Sequence, residues 1–510
     1  MISEIFSATT YGVDGFIVRV ETHLEPGHYM FSVVGLPDNT VKESRDRVSA
    51  AIKNSGAEFP WTKKITINLS PADKKKEGSA FDLPIALGIL CESEQLKTEL
   101  LKQYVFVGEL SLDGKLRKVP GVLPIAIEAK KRNFKGLILP PENAKEGAVV
   151  SGLDVIPLND LNEVVDFLNG KIEREPYVVN TKELFDKREE FLIDFADVKG
   201  QSEVKRAMEV AAAGGHNILM IGLPGSGKTM LAKRLPTILP PMTLEEALET
   251  TKIHSIAGRI SSDESLITQR PFRSPHHTAS DVALVGGGMN IPKPGEISFA
   301  HNGVLFLDEL TQFKKNVLEV MRQPLEDRVV NISRSKMSVK FPCNFMLVAA
   351  MNPSPAANAQ EMKYYSDYEV QKNLSKISGP ILDRIDIHIH VHPVKYNELA
   401  SKSEGEKSES IRERVIKARN IQLKRFNGQK GLYCNALMGT KDLKKFCEIN
   451  AECRELLKVA INKVGLSARA YDKILKVSRT IADLDGAEEI STAHISEAIQ
   501  YRSLDRMDWL

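Results

Sequence analysis

Gly222-Leu223-Pro224-Gly225-Ser226-Gly227-Lys228-Thr229 is the stretch on which the reading of this chain turns. It fits the pattern Gly-x-x-x-x-Gly-Lys-Ser/Thr at every specified position. Glycines there let backbone N–H groups converge on phosphate oxygens with no Cβ in the way. The helix expected to open near Gly227 adds the positive end of its dipole. Lys228 is suited to neutralise charge on β- and γ-phosphates, and the Thr229 hydroxyl to ligate Mg²⁺. Four such positions coincide by chance in a chain of this length on the order of 2% of the time. The context lowers that further, because residues 217–221 read as a strand leading into the loop. ATP with Mg²⁺ is the ligand pair this implies.

Working outward, Gly303-Val304-Leu305-Phe306-Leu307-Asp308-Glu309 reads as a buried strand ending in two carboxylates. Asp308 can stand in the Mg²⁺ shell and Glu309 can polarise an attacking water. Alone, such a strand end is usually only a strand end; downstream of the loop it reads as the second half of a hydrolytic site. Ala349-Ala350-Met351-Asn352-Pro353 is a third strand, with Asn352 set to orient water or sense the γ-phosphate. By itself an Asn before a Pro is most often a turn.

At 510 residues the chain has room for two to four domains. A net charge of +2 leaves any nucleic-acid surface local rather than global. The N-terminus lacks a secretory pattern, no apolar run reaches membrane-spanning length, and the five scattered cysteines suit a reduced cytoplasmic protein. Residues 1–170 read as a mixed α/β domain, with strands at 16–20, 31–34, 65–69, 104–107 and 136–141. Helices are expected there at 41–55, 83–91 and 122–132. A charged, aperiodic linker is expected at 171–190. Residues 191–395 form the parallel α/β nucleotide domain, with a helix at 203–213 and further strands at 304–307 and 345–349. Residues 396–510 read as helical, with segments at 411–426, 440–447, 451–464, 468–483 and 492–501.

With three strand-end motifs in order, the chain resembles the magnesium-chelatase-like AAA+ ATPases, and within them the ComM/YifB family. The resemblance spans nearly the whole chain. Its specific marks are Arg270-Pro271-Phe272-Arg273-Ser274-Pro275-His276-His277, Pro294-Gly295-Glu296-Ile297-Ser298, His301-Asn302-Gly303, Ser378-Gly379-Pro380-Ile381-Leu382-Asp383-Arg384-Ile385-Asp386 and Leu466-Ser467-Ala468-Arg469-Ala470-Tyr471. It implies a three-layer P-loop AAA+ domain with a helical C-terminal lid. A Lon-protease-like (ribosomal S5 domain 2-like) α+β domain precedes them. It also implies Arg384 as an arginine finger, Arg469 as a sensor-2 arginine and a ring, a homo-hexamer, as the working assembly. Both arginine roles suit the charge that spreads over a transferring phosphoryl group. In the Lon-like domain Ala80 stands where the family's serine would be and Leu123 where its lysine would be, so no peptidase activity is expected. Members of the ComM/YifB family often carry several cysteines after the Asn-Pro, suggestive of a zinc site; residues 354–365 hold none, so that metal site is expected to be absent.

Three weaker patterns remain. Residues 325–341 read as a hairpin with strands at 329–332 and 337–341 and a turn at 333–335. It brings Arg334 and Lys336 near its tip, flanked by Arg328 and Lys340, as candidate DNA contacts. His388, His390 and His392 alternate along one strand, with neighbours ~6–7 Å apart, too spread for one ion, so they read as a solvent-facing row. His276 and His277 could serve a pore, a subunit interface or loop structure. The resemblance implies a DNA motor for branch migration or helicase activity on branched or single strands, in recombination or natural transformation. The alternative is a chelatase-like or chaperone-like ATPase remodelling a protein.

Overall fold

The computed structural model describes residues 2–186, 191–288, 291–334, 337–353, 376–394, 405–427, 429, 431–464 and 467–502. The chain opens with β1 (Ser3–Tyr11), β2 (Asp14–Pro26), β3 (Met30–Val34) and β4 (Lys63–Ser70), in the sheet order β1-β2-β4-β3. Phe16, Val18, Val20, Ile65, Ile67 and Leu69 alternate inward, as a one-sided sheet requires. They meet α1 (Ser44–Asn54) and the almost wholly buried α2 (Asp82–Glu92). The helix expected at 41–55 is instead a short turn of helix at Asn39–Lys42 followed by α1.

A second small parallel sheet follows, β5 (Tyr104–Phe106), β6 (Gly136–Leu139) and β7 (Asp154–Pro157), with β6 central. Helix α3 (Val122–Lys131) follows the left-handed Gly121 and packs between this sheet and β2. The stretch expected to be an aperiodic linker contains a helix at Thr181–Asp186, whose Leu184 and Phe185 pack onto the apolar seam described below.

The nucleotide-domain sheet is five-stranded and parallel. After α4 (Ser202–Gly214) come β8 (Ile218–Ile221), α5 (Lys228–Arg234), α6 (Leu244–Ile256), β9 (Phe272–Arg273) and β10 (Val304–Leu307). The hairpin β11 (Val329–Arg334) and β12 (Met337–Pro342) precedes β13 (Met346–Met351), and β14 (Ile387–His390) closes the sheet in the order β9-β10-β13-β8-β14. Both faces are covered, which is why these strands read as unbroken apolar runs. One face presents Ile218, Met220, Val304, Phe306, Val348 and Ala350 to a core shared with the C-terminal helices. The other presents Leu219, Ile221, Leu305, Leu307 and Leu347 to a core that includes Val330, Ile332, Val339 and Phe341 of the hairpin. The hairpin strands run further than expected, pairing Ser333 with Ser338 and Arg334 with Met337.

The C-terminal region is helical: α7 (Ser408–Arg425), α8 (Thr440–Phe446), α9 (Ala451–Val464), α10 (Ala468–Leu484) and α11 (Thr492–Gln500). Helices α7 and α10 pack on α4, and α10 on α11. Among the described residues no helix is long and apolar enough to cross a membrane.

The N-terminal part is joined to the nucleotide domain by a small apolar seam of Leu123, Val149, Met242, Ala247 and Leu266. Polar groups flank it: Gly121 N–H donates to Ser255 O (3.0 Å), and the buried Glu146 accepts from Leu123 N–H (2.8 Å) and from the Ser255 hydroxyl. Leu123→Ala leaves a cavity in this seam and is expected to lower unfolding free energy by roughly 2–5 kcal/mol, read by urea denaturation.

Candidate nucleotide-binding site

Parallel strands put their C-terminal ends on one edge of the sheet, and the site is built there. The register pairs Ile221 with Met351 and Leu307 with Ala349, so the loop after β8, the carboxylates after β10 and Asn352 after β13 emerge side by side. Gly222 N–H donates to Met351 O (3.2 Å), fastening the start of the loop to β13. A Cβ on Gly222 would lie 2.3 Å from Val391 O and 2.8 Å from Ser226 Oγ, so only glycine fits.

Lys228 is buried and its Nζ donates to Gly222 O (2.8 Å), Leu223 O (2.8 Å) and Asn352 Oδ1 (3.0 Å). Burial draws its ammonium below the usual lysine value, against the pull of Asp308 and Glu309. The Thr229 hydroxyl donates to Asp308 Oδ2 (2.7 Å). These contacts bring Lys228, Thr229, Asp308 and Asn352 into one cluster. Ser226 Oγ is buried there with no hydrogen-bond partner among the described residues. A buried polar atom left unmatched beside a captive lysine suits a loop shaped for an anion that supplies the missing partners.

Glu309 adopts a left-handed backbone (φ 52°), which costs a non-glycine residue about 1–2 kcal/mol. Its N–H donates to Asp308 Oδ1 (2.9 Å), and its half-exposed carboxylate stands 3.6 Å from His277 Nδ1. His277 thus faces Glu309, while its ring packs 4.1 Å from His276 and 6.4 Å from Phe313. His276 bonds Thr278 Oγ1 (2.9 Å), a loop role. The sequence signal for His277 was its place in the dense 270–277 motif, without an indication of which partner it meets.

The other residues of that motif hold the carboxylate strand in place. Arg270 donates to Pro240 O (2.7 Å) and Asn302 O (2.6 Å) and pairs with Glu246 (2.9 Å). Arg273 forks onto Glu296 at 2.6 and 2.9 Å. A Cβ on Gly303 would meet Pro271 O at 2.1 Å, so β9 and β10 approach closely only because residue 303 is glycine.

Arg384 and Arg469 are not in the phosphate cluster. Arg384 precedes β14, and β14 starts alongside Ile218, the first residue of β8. It therefore lies at the sheet edge opposite the loop, a strand length of ~13 Å away for the four residues of β8 at ~3.3 Å per residue. Arg469, at the start of α10, pairs with Asp383 (3.5 Å). Both arginines line one cavity of about 420 Å³, together with Glu326, Arg328, Lys473 and Lys476. Arg384 donates to Pro380 O (2.7 Å) and pairs with Glu326, while its Nε has no hydrogen-bond partner among the described residues.

Arg334 is exposed near the hairpin tip; Lys336, like residues 354–365, lies outside the described residues. Arg328 is not a free flank, since it donates to Phe345 O (2.9 Å). The histidine row needs correction. His388 is buried (1% exposed), held between β8 and the Arg502 bridge, because β14 is covered by the C-terminal helices. Burial pushes its imidazole well below the usual value, with Arg502 and Lys473 adding to the effect. His390 and His392 are more open, their rings 6.4 Å apart.

Residues 194–399 match the family described as magnesium chelatase, subunit ChlI; residues 20–143 match subunit ChlI of Mg-chelatase; residues 405–502 match its C-terminal region. Competence protein ComM of Haemophilus influenzae is 45% identical over 509 residues, covering 99% of this chain and 98% of its own. The protein YifB of Escherichia coli is 43% identical over 512 residues, with the same coverage. The chain belongs to the ComM/YifB family of magnesium-chelatase-like AAA+ proteins. The magnesium-chelatase subunit ChlI of Cyanidium caldarium is more distant, 24% identical over 48% of this chain and 75% of its own. Membership makes the five-stranded sheet that of a AAA+ domain and implies an oligomeric ATPase that binds ATP with Mg²⁺. Because a Cβ at Gly222 has no room, Gly222→Ala displaces the loop, and titration with a fluorescent ATP analogue is expected to show affinity lost by at least ~10-fold.

Proposed function

We propose that this ComM/YifB-family chain is a ring-forming AAA+ motor acting on DNA, a branch-migration or helicase activity on branched or single strands, with a homo-hexamer as the working form. In this reading Lys228 and the backbone of Gly222–Thr229 bind the nucleotide phosphates, and Thr229 and Asp308 hold Mg²⁺. The metal supplies charge neutralisation and a template for the phosphates. Glu309 accepts a proton from the attacking water, held toward it by the left-handed turn, and Asn352 orients that water. Lys228 leaves its carbonyl partners for phosphate oxygens.

The observation that carries the reading is the split of the charged groups between opposite sheet edges. An arginine carried at the sheet edge opposite the phosphate loop of its own chain is placed to serve hydrolysis from a neighbouring subunit. Arg384 is then a finger supplied across the interface. Arg469, which shares its cavity, is supplied with it, so the sensor-2 role is filled in trans. A heterologous, head-to-tail contact of this kind gives a ring when its rotation closes.

The division into a Lon-protease-like domain at 1–170, a linker at 171–190, a AAA+ domain at 191–395 and a helical lid at 396–510 belongs to the same proposal. So does the lack of peptidase activity: Leu123, at the family's lysine position, is buried in the seam, and Ser79, which neighbours Ala80 and would take the serine position if the alignment shifted by one place, donates to Glu109 rather than to a lysine. DNA as the substrate is supported by likeness to the competence protein ComM and by exposed Arg334.

Lys228→Ala is expected to abolish nucleotide binding, whereas Glu309→Gln keeps binding and slows hydrolysis by ~10²-fold or more. Steady-state ATPase measured with single-stranded, duplex, forked and four-way DNA tests the substrate. Stimulation by forked or four-way DNA is the expected result. A rate indifferent to every DNA removes the DNA motor and favours a protein-remodelling ATPase.

A further inference from the structure

In the wall of the Arg384–Arg469 cavity lies a nearly enclosed ion pair that hydrolysis chemistry does not itself use. Asp386 Oδ1 is 3.1 Å from Lys473 Nζ, and both side chains are nearly enclosed (11% and 15% exposed). Asp386 Oδ2 accepts from Asn217 N–H at 3.1 Å, with His216 Nδ1 at 3.5 Å. Burial alone would push the Asp386 carboxyl up; Lys473 and His216 overcome it and hold it well below the usual carboxylate range.

The placement of the pair matters more than its existence. Asp386 is two residues after Arg384, and Lys473 is one helical turn after Arg469 on α10. The pair thus ties the turn carrying one guanidinium to the helix carrying the other. Lys476, further along α10, adds to the attraction on Asp386, and Arg469 meets Asp383 on the same turn. That second contact is largely exposed, with Arg469 62% open, and is worth little by itself.

We infer that Asp386 and Lys473 are positioning residues: their buried pair sets Arg384 and Arg469 at the spacing needed to reach one nucleotide bound by a neighbouring subunit. The inference deepens the proposed function and rests on its reading that both arginines act across a subunit interface. Removing Lys473 leaves ATP binding intact, because the phosphate site is on the other edge of the sheet. What is lost is the joint setting of two groups on the transition state, which lowers kcat rather than raising KM.

The test uses full-length protein and mixed subunits. Lys473→Met is expected to lower kcat by at least about tenfold with KM and fluorescent-nucleotide affinity unchanged. Lys473→Arg, which keeps the charge, recovers most of the rate. Mixing Lys473→Met with Lys228→Ala restores activity, because Lys228→Ala subunits lack a working site but offer correctly set arginines. At equal amounts about a quarter of interfaces combine an intact site with intact arginines. Arg384→Ala mixed with Lys228→Ala is the parallel control and tests the across-interface reading itself.

Recovery in the Arg384→Ala mixture but none with Lys473→Met overturns the positioning role and leaves the proposed function standing. No recovery in either mixture overturns both. An unchanged kcat in Lys473→Met also overturns the inference. If Lys473→Met unfolds, as thermal melting would reveal, Asp386→Asn mixed with Lys228→Ala gives the same comparison, and failure to restore its rate overturns the inference equally.

Discussion

Asn217 stands at the start of β8, where its side chain accepts the Leu347 N–H (2.8 Å) and donates to Arg384 O (2.9 Å), while its carbonyl accepts the N–H of Asp386 and Ile387 (3.0 Å each). One buried amide therefore knits three strands and the arginine-bearing turn at a single edge of the sheet. The other end of the same strand runs into the phosphate loop. A buried amide with both ends satisfied is stable where it is, and leaving either partner unmatched costs about 1–3 kcal/mol. The two ends of β8 are chemically distinct because the strands are parallel, and the short strand between them sets the distance from phosphate site to arginines. A binding edge and a donating edge on one rigid unit are what neighbouring copies need to complete each other.

The phosphate edge gives up stability that the rest of the sheet supplies. Glu309 is held in a left-handed conformation, Lys228 is buried among carbonyls, and Ser226 Oγ is buried without a hydrogen bond among the described residues. Each is unfavourable taken alone. They persist because β8, β10 and β13 are covered on both faces by apolar side chains, and because Arg270 and Arg273 pin the segments leading into β10. Strain gathered at one edge, with dense packing elsewhere, is the pattern of a site shaped for something it does not itself contain.

Much of this was legible from residue order. The β8, β10 and β13 strands announce themselves as apolar runs because both faces are buried, and their polar termini name the site. The helices after residue 408 are visible through their spacing. What was not legible depends on distant contacts. Strand β1 was missed because Ser3, Ser7, Thr9 and Thr10 look polar, yet Ser7 is buried with its hydroxyl on Phe106 O (2.9 Å). The histidine row looked solvent-facing because alternation fixes which residues share a side, not what covers that side. Arg384 was assigned a finger role by resemblance, but only the parallel register reveals that it sits opposite the loop. His277 had no partner until folding brought Glu309 to it.

The N-terminal part meets the nucleotide domain at two places of different character. One is the apolar seam between α3 and α6, where area removed from water resists separation. The other is the β1–β2 tip, where Tyr11 OH donates to Ser338 O (3.3 Å) and Val13 joins the core beneath the hairpin. A Cβ on Gly12 would lie 2.9 Å from Val339 Cγ1, so the tip is seated closely against β12. The seam fixes the N-terminal part to the side of the sheet, and the tip braces the hairpin that projects Arg334. Ser338 pairs with Ser333, one pair from the Arg334–Met337 end, so the brace grips the hairpin beside its charged end rather than at its base. Any excursion of that end is then limited by how far the β1–β2 tip can yield while α3 stays locked to α6.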